Sequence, residues 1–172
     1  PGRISLQIMI DWHELEATVD ELERETDEIF VDLLATRLAP MPGLLDLLSA
    51  LERANIPKAI ATSSRRGFVE DVLGRFDLAP RFRFILSAED VIEGKPHPEI
   101  YLKAAARFGL PPERVVVLED SQNGCRAAVA AGTIAVAVPG GHSLSHNFEG
   151  AALSVDSLAD PRLYRLIGLP RH

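Results

Sequence analysis

Residues 115–120 read VVVLED, an uninterrupted apolar run that ends in two acids, Glu119 and Asp120. A continuous run of branched apolar residues is typical of a strand that is buried on both faces of a parallel sheet. A small-residue helix is predicted next, at residues 125–131, and another apolar strand at residues 133–138. This stretch therefore predicts an α/β fold.

The alternation of strand and helix extends in both directions from this stretch. Strands that alternate with helices indicate a doubly wound, Rossmann-like parallel sheet with helices on both faces. The remaining predicted strands cover residues 58–62, 82–86 and 151–155, and the remaining predicted helices cover residues 44–51, 68–76, 98–108 and 157–166.

The sequence before this alternating region has a different character. Apolar residues recur at helical spacing from Leu15 to Leu34, and they predict one amphipathic helix over residues 13–37. Residues 11–32 hold ten acids and one base. A solvated helix face explains this acidic run, and a surface that repels anionic ligands is the alternative.

Two prolines and a glycine interrupt the chain at residues 40–43 (PMPG). Proline disfavours helix at the residue before it, so the acidic helix is expected to end here. We therefore divide the chain into a helical segment, residues 1–40, and an α/β core, residues 41–172.

Composition excludes several classes of protein. The chain has 172 residues and a net charge of −7, without a stripe of lysine and arginine interleaved with aromatic residues, so nucleic acid is not expected as a partner. No apolar run approaches the roughly 18 residues that span a bilayer. Cys125 is the only cysteine, which excludes an intramolecular disulfide and predicts a buried structural thiol and a reducing, cytoplasmic location.

In doubly wound sheets, ligands bind beyond the carboxyl ends of the strands. The first predicted strand ends in Thr62, Ser63 and Ser64, followed by Arg65, at the start of a helix whose dipole favours an anion. Ordinary helix capping by these hydroxyls is the alternative.

The next two strand ends carry charged residues. Lys95 lies in the sequence GKPHP, where two prolines restrict the backbone and aim the side chain; a phosphate-binding lysine and a surface lysine in a turn are both open. Glu119 and Asp120 match the oxygen ligands that Mg²⁺ prefers. The alternative is that Asp120 or Ser121 caps a helix and that Glu119 points to water.

These three segments resemble three motifs of one enzyme family. Residues 60–64 (IATSS), 94–101 (GKPHPEIY) and 116–124 (VVLEDSQNG) are similar to the second, third and fourth motifs of the haloacid dehalogenase-like (HAD) hydrolases, in the branch of β-phosphoglucomutase and phosphoglycolate phosphatase. The sequence MPG at residues 41–43 resembles that branch's return from an α-helical cap into the core. The resemblance implies that residues 1–40 are part of such a cap.

The resemblance also implies roles for individual residues. Thr62 would hydrogen-bond the transferring phosphoryl group, and Lys95 would neutralise that group and the nucleophile. Glu119 and Asp120 would bind Mg²⁺, directly or through water. Ser64, Arg65 and Arg66 occupy the stretch where some relatives hold a second substrate group. The residues expected to bind phosphate or substrate are Thr62, Ser63, Ser64, Arg65 and Lys95.

The family's first motif, Asp-x-Asp, does not occur in the 172 residues. In the family, its first aspartate becomes an aspartyl phosphate and its second is the general acid and base. Asp11, at the end of a short apolar run, is the nearest candidate, but we interpret it as a turn or helix residue. We expect that the sequence begins inside the cap and that the core lacks its central strand.

The resemblance implies a Mg²⁺-dependent phosphatase that hydrolyses a small phosphorylated metabolite, such as a sugar phosphate or phosphoglycolate, through an aspartyl phosphate. Two alternatives stay open: a sugar-phosphate mutase of the same family, and a catalytically inactive protein that binds phosphate. A phosphoacceptor domain of flavodoxin-like type is weaker, because it also needs an aspartate at a strand end.

Overall fold

The computed structural model describes residues 2–36 and 38–170. The chain divides into two compact units, Pro1–Ala39 and Pro40–His172. No helix among the described residues is long and apolar enough to cross a membrane.

Within its described residues, 2–36 and 38–39, the first unit contains two helices, α1 (Gly2–His13) and α2 (Val19–Thr36). The prediction of one helix over residues 13–37 was therefore wrong at its start, and its last residue, Arg37, lies outside the described residues. Helix α1 ends where Glu14 adopts a positive φ of 51°. Asp11 lies within α1, which confirms its interpretation as a turn or helix residue.

Helix α2 begins at a capping box formed by Thr18 and Glu21. The Thr18 hydroxyl accepts a hydrogen bond from the Glu21 amide, and the Glu21 carboxylate accepts one from the Thr18 amide. This reciprocal pairing satisfies amide groups that have no partner inside the helix. The guanidinium of Arg3 in α1 pairs with Asp20 and Glu23 of α2, so charge also links the two helices of this unit.

The second unit alternates strand and helix, as the sequence predicted. It is an α/β fold with parallel strands, in agreement with the predicted doubly wound class. Its elements in chain order are α3 (Leu44–Arg53), β1 (Ile60–Ala61), α4 (Arg66–Arg75), β2 (Ile85–Leu86), α5 (Glu99–Phe108), β3 (Val116–Glu119), α6 (Gln122–Ala130), β4 (Ile134–Ala137), β5 (Leu153–Ser154) and α7 (Pro161–Ile167).

The strands form two parallel sheets. Strand β1 pairs with β2, and β4 pairs with β3 on one side and β5 on the other. All these strands run in the same direction as their neighbours, so their carboxyl ends share one edge in each sheet. Every predicted strand is present; four of the five are shorter than predicted, while β3 has the four residues of its apolar run but is shifted by one residue toward Glu119.

Small residues let helix α6 pack closely on the sheet. Cys125, Ala127 and Ala128 have no exposed surface, and they join the buried side chains of α5 and β4 in one core cluster. The buried, free thiol of Cys125 confirms the predicted structural role. Burial, together with the nearby Glu119 carboxylate, raises the pKa of this thiol.

An apolar cleft lies between β1 and β3. Its volume is about 590 Å³, and its lining includes Ala59 and Ala61 on one side and Val116 and Leu118 on the other. Side chains of α3, α5 and α7 also line it. The hydrogen bonds of the two sheets explain its shape.

The backbone groups that border this cleft are those that do not pair within the two sheets. In β1, the amides of Ile60 and Thr62 donate to carbonyls of the β2 segment. Alternate residues of a parallel strand bond to opposite neighbours, so Ala59 and Ala61 direct their backbone groups toward the cleft. By the same alternation, β3 bonds to β4 through its odd-numbered residues. Its even-numbered residues face the cleft.

Candidate active site

The three predicted motifs meet at one cavity. The cavity has a volume of about 320 Å³ and lies at the carboxyl ends of β1 and β3. It contains one cationic side chain and two acidic ones. Its lining consists of Ala61, Thr62, Ser63, Ser64, Lys95, Leu118, Glu119, Asp120 and Ser121.

Thr62 follows β1 directly and is held by the backbone around it. Its amide donates to the carbonyl of Leu86 at 2.9 Å, which continues the β1–β2 ladder. Its hydroxyl oxygen accepts a hydrogen bond from the Ser64 amide at 3.1 Å. Because the oxygen is engaged as an acceptor, the hydroxyl proton is available for an acceptor in the cavity.

The loop after β2 fixes the start of helix α4. The Glu89 carboxylate accepts a hydrogen bond from the Arg66 amide, and the Asp90 carboxylate pairs with the Arg66 guanidinium at 2.5 Å. Asp90 also accepts from the amide and hydroxyl of Ser87, which are the first causes of its lowered pKa. These contacts hold the turn that presents Ser63 and Ser64 to the cavity.

Arg65 differs from the other residues of its motif. It is the residue before α4, its side chain is exposed, and it is not part of the cavity lining. Its predicted contact with substrate stays a prediction.

Lys95 enters the cavity from the loop between β2 and α5. Its ammonium group donates to the Ala61 carbonyl at 3.0 Å and to Glu119 Oε1 at 2.5 Å. It also lies 4.9 Å from the centroid of the Tyr101 ring, within the range of a cation–π interaction. Only 10% of the side chain is exposed, so Lys95 is not a surface lysine in a turn.

The Glu119 carboxylate is buried and points away from water. Oε1 accepts hydrogen bonds from Lys95 and from the Tyr101 hydroxyl, and Oε2 accepts one from the Ser121 hydroxyl at 3.1 Å. Only 6% of its side chain is exposed. A buried charge is tolerated when it is paired and hydrogen-bonded, and Glu119 is both.

Asp120, the next residue, is exposed at the same cavity. The two acids therefore have different surroundings: Glu119 is bound by protein donors, while Asp120 faces the cavity. No cluster of three or more histidine, cysteine or acidic side chains suited to a metal occurs in the described part of the chain. Mg²⁺ keeps several water ligands and commonly takes only one or two protein carboxylates. A site made of the exposed Asp120 and the neighbouring, buried Glu119 therefore fits that ion.

Ser121 has two functions in this arrangement. Its hydroxyl caps helix α6 by accepting a hydrogen bond from the Gly124 amide at 3.1 Å, as the capping alternative predicted. The same hydroxyl donates to Glu119. The helix start therefore also fixes the buried acid.

A second anchor holds the loop that precedes Lys95. The Glu99 carboxylate accepts hydrogen bonds from the amides of Ile92 and Glu93 and pairs with Lys103 at 2.5 Å. These contacts, with Lys103 the largest, lower the pKa of Glu99 to about 2. Glu99 thus ties the first turn of α5 to the loop, from which Lys95 extends.

Sequence reasoning missed three contributors to the site: Tyr101, Gly124 and Glu99. Tyr101 and Gly124 lie inside the quoted motifs, but their contacts with Glu119 arise only when α5 and α6 pack beside β3. For Glu99, a residue at the start of α5, the signal was its place in the first turn of a helix, where an acid is favoured.

Comparison with known proteins agrees with this fold and site. The haloacid dehalogenase-like hydrolase family matches residues 4–132, which is most of the chain. The chain belongs to this family of hydrolases.

Individual relatives show which branch of the family this chain is similar to. Protein CbbY from Cereibacter sphaeroides is 37% identical over 146 residues, which cover 83% of this chain and 64% of that protein. Phosphoglycolate phosphatase from Salmonella paratyphi A is 34% identical over 134 residues, 75% of this chain and 51% of the relative. A crystal structure of a CbbY mutant from Rhodobacter sphaeroides in complex with xylulose-(1,5)bisphosphate has 36% identity and a TM-score of 0.76, covering 85% of this chain and 67% of that one.

These relatives place the chain in the branch that the sequence motifs indicated. The chain spans about half to two thirds of the length of the curated relatives it matches.

Proposed function

We propose that this chain provides the phosphate- and Mg²⁺-binding part of a phosphatase that hydrolyses a small phosphomonoester. The observation that carries the proposal is the convergence of Thr62, Lys95 and Asp120 on one cavity. A phosphoryl group in transfer needs hydrogen-bond donors and positive charge, and a hard cation needs carboxylate oxygen. The cavity provides hydrogen-bond donors, positive charge and carboxylate oxygen.

Each side chain has a distinct part in the proposed chemistry. The Thr62 hydroxyl donates to a phosphoryl oxygen. An ammonium group has three N–H donors, and Lys95 uses two of them on Ala61 and Glu119, which leaves one for the phosphoryl group. These donors are already fixed, so they stabilise developing negative charge without reorganisation.

Asp120 is the proposed direct ligand of Mg²⁺. The Glu119 carboxylate is bound to Lys95, so we propose that Glu119 orients the lysine and adds negative charge near the metal. Any contact of Glu119 with Mg²⁺ would be made through water. When bound, Mg²⁺ would polarise a phosphoryl oxygen and offset its charge.

The nucleophile is absent from these 172 residues, since the sequence holds no Asp-x-Asp. We propose that the segment carrying it occupies the apolar cleft between β1 and β3. The cleft supports this because unpaired backbone edges of both strands border it and its side walls are apolar. An extended segment parallel to β1 and β3 would end next to Thr62, Lys95 and Glu119.

The family resemblance further leads us to propose that residues 1–40 are part of a substrate-selecting cap. Relatives act on or bind small phosphorylated compounds, as the names phosphoglycolate phosphatase and the xylulose-(1,5)bisphosphate complex state. We therefore propose a sugar phosphate or phosphoglycolate as the substrate class. The cytoplasmic location stays a prediction.

Two alternatives use the same cavity. A sugar-phosphate mutase would return the phosphoryl group to the substrate instead of water. A protein that only binds phosphate would retain Thr62 and Lys95 but show no turnover, and the absence of Asp-x-Asp favours it.

The test is phosphate release from p-nitrophenyl phosphate and from phosphoglycolate, measured with and without Mg²⁺ on a protein that also contains a segment with Asp-x-Asp, because the 172 residues hold none. Mg²⁺-dependent turnover that falls about a hundredfold or more in Asp120→Asn supports the proposal. Glu113→Gln, an exposed acid outside the cavity, is the matched control and is expected to retain activity. Tight binding of phosphate without turnover supports the binding protein, and neither binding nor turnover contradicts both.

A further inference from the structure

Tyr101 contacts both members of the buried ion pair. It lies in the first turns of α5, with 4% of its surface exposed. Its hydroxyl donates to Glu119 Oε1, the same oxygen that Lys95 contacts. Its ring lies beside the Lys95 ammonium, 4.9 Å from centroid to nitrogen. One side chain therefore acts on the lysine by two separate routes.

The first route is through the shared carboxylate oxygen. Burial raises the pKa of Tyr101 above its usual value, and the Glu119 charge raises it further. The hydroxyl therefore stays protonated and serves as a constant donor. The Tyr101 hydroxyl uses one of the acceptor positions of Oε1. It therefore fixes the orientation of the Glu119 carboxylate and limits the directions from which the Lys95 ammonium group can donate to the same oxygen.

The second route is through the aromatic face. A cation near a ring is attracted by the negative charge of the ring's π face, and the attraction is stronger where both groups are shielded from water. Lys95 has a long, flexible side chain with several rotamers, and ordering it costs entropy. The ring and the carboxylate together restrict it to the cavity.

We propose that Tyr101 is a positioning residue that fixes the direction of the Lys95 ammonium toward a bound phosphoryl group. This inference rests on the proposed function, because it assigns Lys95 to phosphate. It goes further in giving a specific role to a buried aromatic residue that forms no part of the cavity lining.

The experiment compares three variants with the unaltered chain. Tyr101→Phe keeps the ring and removes the hydroxyl, and Tyr101→Leu removes both. Tyr164→Phe is the matched control, because Tyr164 is the only other tyrosine, is also buried and lies in α7 outside the cavity. Affinity for inorganic phosphate is measured calorimetrically with Mg²⁺ present, and thermal unfolding is recorded for every variant.

A second readout follows Lys95 directly. The chain has three lysines, Lys58, Lys95 and Lys103, so side-chain NMR signals of labelled lysine are few and can be assigned with single Lys→Arg variants. The Tyr101 ring is expected to shift the Lys95 signal through its ring current. A purely structural role for Tyr101 would lower the midpoint of thermal unfolding and leave the phosphate affinity of the folded variant unchanged.

The expected results separate the two routes. Phosphate affinity falls about five- to tenfold in Tyr101→Phe, through the lost bond to a charged group, and about fivefold further in Tyr101→Leu. The ring-current shift persists in Tyr101→Phe and disappears in Tyr101→Leu. If Tyr101→Leu fails to fold, the Phe variant alone decides the affinity prediction.

Two failures are distinguishable. If the unaltered chain binds phosphate and the affinity is unchanged in Tyr101→Phe, the positioning role is overturned while the proposed function stands. If the unaltered chain binds no phosphate in the presence of Mg²⁺, the proposed function is overturned, and the assignment of Tyr101 falls with it.

Discussion

Gly124 lies directly against the Glu119 carboxylate, so closely that a Cβ atom at position 124 would overlap Oε2 and Cδ of Glu119. Gly124 is in the first turn of α6, where any residue can adopt the backbone conformation. The glycine is thus required by space. Because α6 lies close to the end of β3, the space between them is filled by the Glu119 carboxylate and cannot also hold a side chain at position 124.

This relationship predicts that Gly124→Ala expels the carboxylate from its pocket. Glu119 would lose hydrogen bonds from Lys95, Tyr101 and Ser121, and we expect the free energy of unfolding to fall by about 1–3 kcal/mol, measured by urea denaturation. Gly74→Ala is the control, because Gly74 lies in helix α4 with no atom within 4 Å of its Cβ position. The control should gain about 0.5–1 kcal/mol, and an equal gain in Gly124→Ala would contradict the packing argument.

The ion pair of Lys95 and Glu119 predicts strong coupling between the two residues. Removing one partner leaves the other buried without its opposite charge, so Lys95→Met and Glu119→Gln should each lower the unfolding free energy by about 3 kcal/mol. The double variant should lose less than the two single losses combined, by about 1–3 kcal/mol, in a double-mutant cycle. Additive losses would show that the two charges act independently.

The arrangement of the strands and helices was predictable because each leaves a local signal. Residues 115–118 and 133–138 are mainly apolar runs with strand-like composition, and β3 and β4 formed there. Four of the five strands are shorter than predicted, since an apolar run reports burial, while a strand also needs a hydrogen-bonded neighbour. Residues 58–62 illustrate this: only Ile60–Ala61 pair with β2 as a strand.

The helical boundary near residue 14 was missed although a local signal exists. Helical periodicity continues across residues 13–18, so one continuous helix was predicted there. The helix start at the capping box of Thr18 and Glu21 was therefore missed. The pattern Thr-x-x-Glu before an apolar run is a recognised helix start. The conformation of Glu14, with its positive φ, left no comparable mark in the sequence.

The sequence predicted which residues line the candidate site, but not how their side chains contact one another. The order of Thr62, Lys95 and Asp120 at successive strand ends indicated one shared cavity, and the three line one cavity. The sequence assigned Glu119 and Asp120 to Mg²⁺ together, but successive residues of an extended chain point to opposite sides, and in the structure only Asp120 is exposed. The turn of Glu119 toward Tyr101 depends on how α5 packs, which no local pattern reports.

The lowered pKa of Glu99 predicts that acid releases the loop before Lys95. Its carboxyl group is a much stronger hydrogen-bond acceptor when ionised, and Lys103 and the Glu93 and Ile92 amides hold its pKa at about 2. A carboxyl whose pKa is lowered on folding stabilises the fold above its unfolded pKa, near 4.5, and loses that contribution as the pH falls toward 2.

Hydrogen exchange measures this release. Protection of the Ile92 and Glu93 amides should decline between about pH 4.5 and 2 relative to the core amide of Val136. In Glu99→Gln the loop protection should be lower at neutral pH and should change little over the same interval. Equal pH dependence in the variant and the unaltered chain would assign the release to another acid.

The cleft between β1 and β3 predicts that an added peptide strand stabilises the chain. A peptide of five branched apolar residues followed by Asp-x-Asp has the uniform apolar character that suits a strand with both faces covered. It should raise the midpoint of thermal unfolding progressively, with the logarithm of its concentration above the Kd, because binding to the folded state alone stabilises it. With Mg²⁺ present, it should also confer turnover of p-nitrophenyl phosphate.

Two control peptides separate strand pairing from chemistry. A proline at the centre of the apolar run removes an amide donor and should abolish both the thermal shift and the turnover. Replacing the first aspartate of the peptide by asparagine should preserve the thermal shift and abolish the turnover, because the strand still pairs and the nucleophile is gone. Equal thermal shifts with the proline peptide would mean that the cleft binds apolar peptides without forming a strand, and turnover with the asparagine peptide would exclude an aspartyl phosphate.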